Sequence, residues 1–439
     1  MQKFNFTVLG LFLLMAFSFQ SCLQDSCERR FTYTQYTPVY LTYQEVHDGQ
    51  VVNEAPRELK NPGKIYFYNN YIFINEGREG VHVIDNTNPQ SPQNIAFIAI
   101  SGNEDVAIQN GIMYANSYVD LLAIDISDIQ NAAVVGRTQS VFNPIWDDVT
   151  NGRVLVEYKE ELVTETLDCE TIGLLQQNPY GGYYKCLGCE IDVAFSNSAD
   201  DVAFPTSSTG SSGGTGVAGS MARFSLISNH LYVVDEYTLT VLDLVNPVAP
   251  NEVNEINLGW GIETIFPYED KLFIGSNSGM FIYDNSNPAN PTYLSAFAHA
   301  RACDPVVVKG NYAYVTLRDG TVCEGFNNQL DLVDITDLTN PILEKSYPMD
   351  NPHGLSIRDN TLFICEGSYG LKSFDITDPM KIDQHLLDHE KGLFAYDAIA
   401  LAVPGYDNTV LVIGEDGFYQ YNFDDPSDLK LISLIPVTK

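Results

Sequence analysis

Apolar and polar positions along this chain repeat as a short unit: an apolar run of four to six residues, an Asp, a polar turn, and usually a proline. The unit reads GVHVIDNTNPQSP at 80–92, DLLAIDISD at 120–128, LTVLDLVNPVAP at 239–250 and GMFIYDNSNPANP at 279–291. It continues as LDLVDITDLTNP at 330–341, GLKSFDITDP at 370–379 and a weaker GFYQYNFDDP at 417–426. The anchors Asp85, Asp125, Asp243, Asp284, Asp334, Asp375 and Asn422 are spaced by 40, 41, 50, 41 and 47 residues wherever neighbouring copies are adjacent. A longer gap follows Asp125, and VTNGRVLVEYKEELVTETLD at 149–168 supplies an eighth copy anchored at Asp168. Each anchor run is preceded by a second apolar run, such as YIFI at 71–74 or LYVV at 231–234, and by a turn such as Asn69-Asn70 or Asn110-Gly111. With an extended segment on either side, each unit holds four strands.

Four-stranded units of about 40 residues cannot bury both faces alone, so they stack, and radial stacking buries every face. The expectation is an all-β fold, a β-propeller of about eight four-stranded blades, or seven if one copy serves as an extra strand. Residues 36–46 are read as a strand that closes the ring against the last blade, because an open array leaves sheet edges exposed.

The strings around Asp85, Asp334 and Asp375 resemble the LVIVD repeat of lipid-anchored bacterial propellers, largely of the Bacteroidetes type. The resemblance covers nearly the whole chain after residue 60 and implies an exported propeller lipoprotein. It transfers no catalytic residue. Other propeller signatures are missing, among them the Gly-His to Trp-Asp pairing, the sialidase Asp box and the paired glycines of kelch repeats.

The N-terminus gives an address. Residues 1–21 combine Lys3 with an uncharged apolar run from Phe4 to Phe19, the pattern of a secretory signal peptide too short to span a bilayer. Phe19-Gln20-Ser21-Cys22 is similar to a lipobox, although Phe19 and Gln20 depart from the usual Leu and small residue. The reading is that Cys22 is acylated, which makes 22–60 a lipidated N-terminal segment and 61–439 the propeller. The alternative is a secreted protein whose Cys22 forms a disulfide. The expected location is the outer membrane, on the periplasmic or cell-surface side.

Charge narrows the partners. Against 23 Lys and Arg stand 57 Asp and Glu, and a net charge of −34 repels nucleic acid and anionic lipid. A protein or glycan partner in the envelope is expected, besides the membrane that holds the acyl anchor. An exported chain also permits disulfides. Cys303 and Cys323 flank a strand pair and are expected to bridge. Residues 169–220 form an insertion with Cys169, Cys186, Cys189 and a Ser/Gly-rich tract, read as an excursion from the ring rather than a zinc or phosphate site.

The recurring anchor Asp is read as capping its own turn, since the Gly and distal Glu of a calcium loop are missing. In a propeller the innermost strand starts, and the second strand ends, on one face. Asp105, Asp148, Glu263, Asp304, His353 and Asp397 fall at the first place, Glu76 and Glu366 at the second. These eight residues are the candidate binding set, lining a charged channel mouth that could hold a calcium or other divalent cation, with no further cofactor and no catalytic residue assigned. The leading function is a non-enzymatic binding or scaffold protein; the alternative is a channel-mouth hydrolase or lyase built on His353 with Asp304 or Asp397.

Overall fold

The computed structural model describes residues 28–144, 147–148, 151–168, 176–177, 183–186, 217–298, 305–318 and 328–438. Two compact units divide the chain: residues 41–154 with 194–439, and residues 1–40 with 155–193.

The larger unit is a propeller of seven blades, each built on four antiparallel strands in sequence order from the axis outward. The innermost strands of blades 1 to 7 are Pro62–Tyr68, Val106–Gln109, Phe224–Ile227, Ile262–Tyr268, Val306–Lys309, Leu355–Arg358 and Asp397–Ala400. The third strands carry the anchors and are buried almost throughout, whereas outer strands such as Asn251–Asn257 are largely exposed. That gradient explains why the sequence shows apolar runs rather than clean alternation: inner strands pack against neighbours on both faces. The turns between first and second strands need left-handed residues, and Asn110 with Gly111, or Ser228 with Asn229, supply positive φ at both positions.

The eighth copy is not a blade. Residues 149–168 contribute instead one 16-residue strand, Arg153–Asp168, which lies beside Glu28–Thr42 in a separate five-stranded sheet. The physical reason is in the side chains: the third strand of a blade is enclosed on both faces, and VTETLD carries too much polar surface for that. The segment 36–46 likewise does not join the last blade; it ends the long strand Glu28–Thr42 and enters the short helix Tyr43–His47. Val52–Glu54 then adds to the outer edge of blade 1, opposite Phe97, Ile98 and Ala99. In the smaller unit, Glu28–Thr42 runs parallel to Tyr183–Cys186, and Tyr33 donates to Glu165 Oε1 at 2.6 Å.

The anchors act locally, as read. In all seven blades the anchor Oδ1 accepts the backbone N–H two residues on, from Thr87 on Asp85 to Asp424 on Asn422. A second link was not legible. The carbonyl four residues after the anchor accepts from the preceding blade in six of seven cases: Pro247 from Tyr114, Pro288 from Tyr232, Leu338 from Ser295, Pro379 from Tyr347, Pro426 from Ser373 and Pro89 from Gln420. The turn that punctuates one blade is thus also the socket for its neighbour.

Candidate functional site

The face opposite those turns carries the inner-strand starts and second-strand ends. Much of its charge is buried and fixes the chain as it enters each blade. Glu76 accepts from the backbone of Lys60 and Asn61, and Glu366 from that of Asp350 and Asn351. Asp235 accepts from Asn143, and Asp416 from Phe394. Burial alone would raise the Glu76 carboxyl, but His82 at 2.8 Å and the two backbone donors hold it below its ordinary value. Glu366 is further paired with Lys372 at 3.0 Å.

Asp105 joins three blades. Its Oδ2 meets Lys64 Nζ at 3.1 Å and accepts from the Arg223 backbone at 2.6 Å, while Oδ1 accepts from Val106. Nearer the surface, Arg223 reaches Glu104 at 3.4 Å and Glu236 at 3.3 Å, and Arg78 reaches Glu104 at 3.4 Å. Glu263 stands half-buried at the start of blade 4, within the field of Arg223.

The axis is occupied. Val217 and Ala218 pair with Phe67 and Tyr66 on the inner edge of blade 1. Ser220 Oγ accepts from Leu355 N in blade 6, and the Ala222 carbonyl from Ile265 N in blade 4. Residues 218–222 are buried, so chain fills the place where the sequence suggested an open mouth.

Asp397 starts the innermost strand of blade 7 and His353 lies two residues before that of blade 6; both are buried. Arg318 Nη1 donates to His353 Nε2 at 3.3 Å, which leaves the proton on Nδ1, an atom with no hydrogen-bond partner among the described residues. Burial first, and then Arg318, push the imidazole well below its ordinary value. Asp397 Oδ1 accepts from Ala398 N, Oδ2 has no hydrogen-bond partner among the described residues, and burial pushes this carboxyl well up. Cys365, absent from the sequence-based set, belongs here too: its carbonyl accepts from His353 N, and burial, then Asp397, push its thiol well up. A nucleophilic cysteine needs the reverse shift. In all three groups burial favours the uncharged form.

The predicted set is thus divided. Glu76, Asp105, Glu366, Asp397 and His353 share this face and are buried, and Glu263 is partly exposed. Asp148 lies in the two-residue strand Asp147–Asp148, paired with Arg153 outside the blades. Asp304, Cys303, Cys323 and Cys22 lie outside the described residues. Among the described residues no group of three or more His, Cys, Asp or Glu is placed to hold a metal ion.

These features define a seven-bladed β-propeller whose axis is closed by its own chain. It carries LVIVD repeats, matched at residues 218–257 and 300–348, within blades 3 and 5. No curated protein matches the sequence. Among solved structures it is similar to the periplasmic gluconolactonase PpgL of Pseudomonas aeruginosa, at 9% identity over 85% of this chain and 97% of that one, with a TM-score of 0.49. It is also similar to PorZ, a surface component of the type-IX secretion system of Porphyromonas gingivalis, at 12% identity, 87% and 39% coverage and a TM-score of 0.42. The computationally designed Ika8 protein matches at 11% identity, 86% and 98% coverage and a TM-score of 0.43.

Proposed function

We propose that this protein is a binding scaffold of the bacterial cell envelope, held to the outer membrane by acylated Cys22, which recognises its partner through the face of the inner-strand starts. One observation carries the reading: the buried charges of that face are committed to joining blades, while Arg78, Glu104, Arg223 and Glu236 form a braced ion network at its surface. Such a surface is preorganised, which lowers the cost of binding. The test is affinity capture from intact envelopes, comparing wild type with Glu236→Gln and Glu263→Gln. A stoichiometric partner lost in these variants supports the reading; equal capture overturns the assignment of the face. Cys22→Ala should move the protein to the soluble fraction, and unchanged retention would remove the anchor.

The hydrolase or lyase alternative draws on His353 Nδ1 and Asp397 Oδ2, two buried atoms of this face without a hydrogen-bond partner among the described residues. Turnover abolished by His353→Ala would favour it.

A further inference from the structure

Trp260 lies on the same face, in Leu258-Gly259-Trp260-Gly261, the link from blade 3 to blade 4. It is 56% exposed, and Tyr237 in the adjoining turn is 39% exposed. Exposure here is not slackness. Gly259 and Gly261 adopt φ of +93° and +88°, which turns the chain outward and back. Leu258 N donates to the Tyr237 carbonyl at 2.8 Å, and Gly261 N to the Glu236 carbonyl at 2.9 Å. Gly259 N donates to Asn257 Oδ1 at 3.0 Å, and Asn277 N to the Gly261 carbonyl at 2.8 Å. At φ +88° a residue with a Cβ would be strained at Gly261, and that Cβ would also crowd the Asn277 side chain at 2.3 Å. The fold therefore holds an indole out in water on a loop pinned to the turn that carries Glu236, whose carboxylate Arg223 braces.

We infer that this ledge is a carbohydrate site, which takes a neutral oligosaccharide with one pyranose ring against the Trp260 indole and its hydroxyls on Glu236 and Arg223. The inference rests on the binding reading of this face and names its ligand class. The electron-rich face of an indole attracts the weakly positive C–H groups of a sugar ring. A carboxylate accepts and a guanidinium donates paired hydrogen bonds, which suits adjacent hydroxyls. A protein partner fits less well: the two exposed rings, Trp260 and Tyr237, fall far short of the ~800 Å² each side of a stable protein interface buries. Acidic glycans fit less well too, because Glu104, Glu236 and Glu263 outnumber Arg78 and Arg223, and the chain carries −34 overall.

The sequence contains two tryptophans, Trp146 and Trp260, so Trp146→Phe leaves Trp260 as the sole indole reporter. The probes are cellohexaose, chitohexaose, maltohexaose and mannohexaose, with hexagalacturonate as the acidic control. A saturable change in Trp260 fluorescence with at least one neutral hexasaccharide is expected, little affected by salt. In calorimetry, Trp260→Ala and Glu236→Gln should each weaken that binding tenfold or more, with an unchanged melting temperature. The inference is overturned if no neutral probe gives a saturable change, if only hexagalacturonate binds, or if Trp260→Ala binds as tightly as wild type. Envelope capture separates the two readings: a partner still captured by Trp260→Ala sinks the carbohydrate site and leaves the scaffold standing.

Discussion

At the scale of single residues, His353 and Asp397 give the pH response a sign. Asp397 keeps its proton in the folded state to a higher pH than in the unfolded chain. The unfolded state is then favoured as pH rises above about 4, the unfolded carboxyl value, so this residue lowers stability through neutral pH. Asp397→Asn should raise the melting temperature by ~2 °C or more at pH 7, and the gain should vanish below pH ~4. His353 works the other way: it refuses a proton that the unfolded chain accepts, so stability falls as pH drops below about 6.5. His353→Gln should flatten the melting curve between pH 7 and 5. Scanning calorimetry across pH 4 to 8 checks both, and parallel profiles for variant and wild type would sink the account. The sequence placed these residues at the inner-strand starts. It could not show their shifts, which come from burial and, for His353, from Arg318 in another blade.

At the scale of elements, the anchor turn was legible and its socket was not. An Asp that accepts from the residue two positions on is a local bond that any copy of the string displays. The donor that meets the carbonyl four residues on comes from the preceding blade and changes identity, Tyr in three blades, Ser in two and Gln in one. Spacing cannot reveal it. Tyr232→Phe removes a buried hydroxyl that reaches both Asn285 and Pro288, and should cost about 1–3 kcal/mol in urea unfolding. Tyr347→Phe tests the same contact between blades 5 and 6, and a loss below 0.5 kcal/mol at both sites would deny the socket a role. The eighth copy misled for a related reason: its order of turn and strand matches a blade, but the polarity of VTETLD rules out a strand enclosed on both sides.

For the whole molecule, the first and last blades meet through side chains. Asn86 Nδ2 donates to Gln420 Oε1 at 2.9 Å, Gln420 Nε2 donates back to Asn86 Oδ1 at 2.8 Å, and the Tyr406 hydroxyl donates to the Asn86 carbonyl at 2.7 Å. Both amides are fully buried, so leaving one unpaired is costly. Gln420→Leu should destabilise the ring by about 1–3 kcal/mol. The double variant with Asn86→Leu should lose less than the sum of the two single changes. Additive losses in urea titrations would show that the amides do not act as a pair. Seven blades rather than eight follow from which copies can bury a third strand, and that turns on a few side chains more than on period.

The segment at the axis also bears on assembly. Val217 pairs near the turn-face end of the first inner strand, and six residues later Arg223 meets Asp105 on the opposite face. The axial segment is thus enclosed by a ring that the same chain forms, with blades 1 and 2 before it and blades 3 to 7 after it. The junction of blade 7 with blade 1 that encloses it joins partners more than 300 residues apart. Contacts so distant in the chain form slowly. Closure of the ring around its own axial segment is therefore expected to be the slow step of refolding.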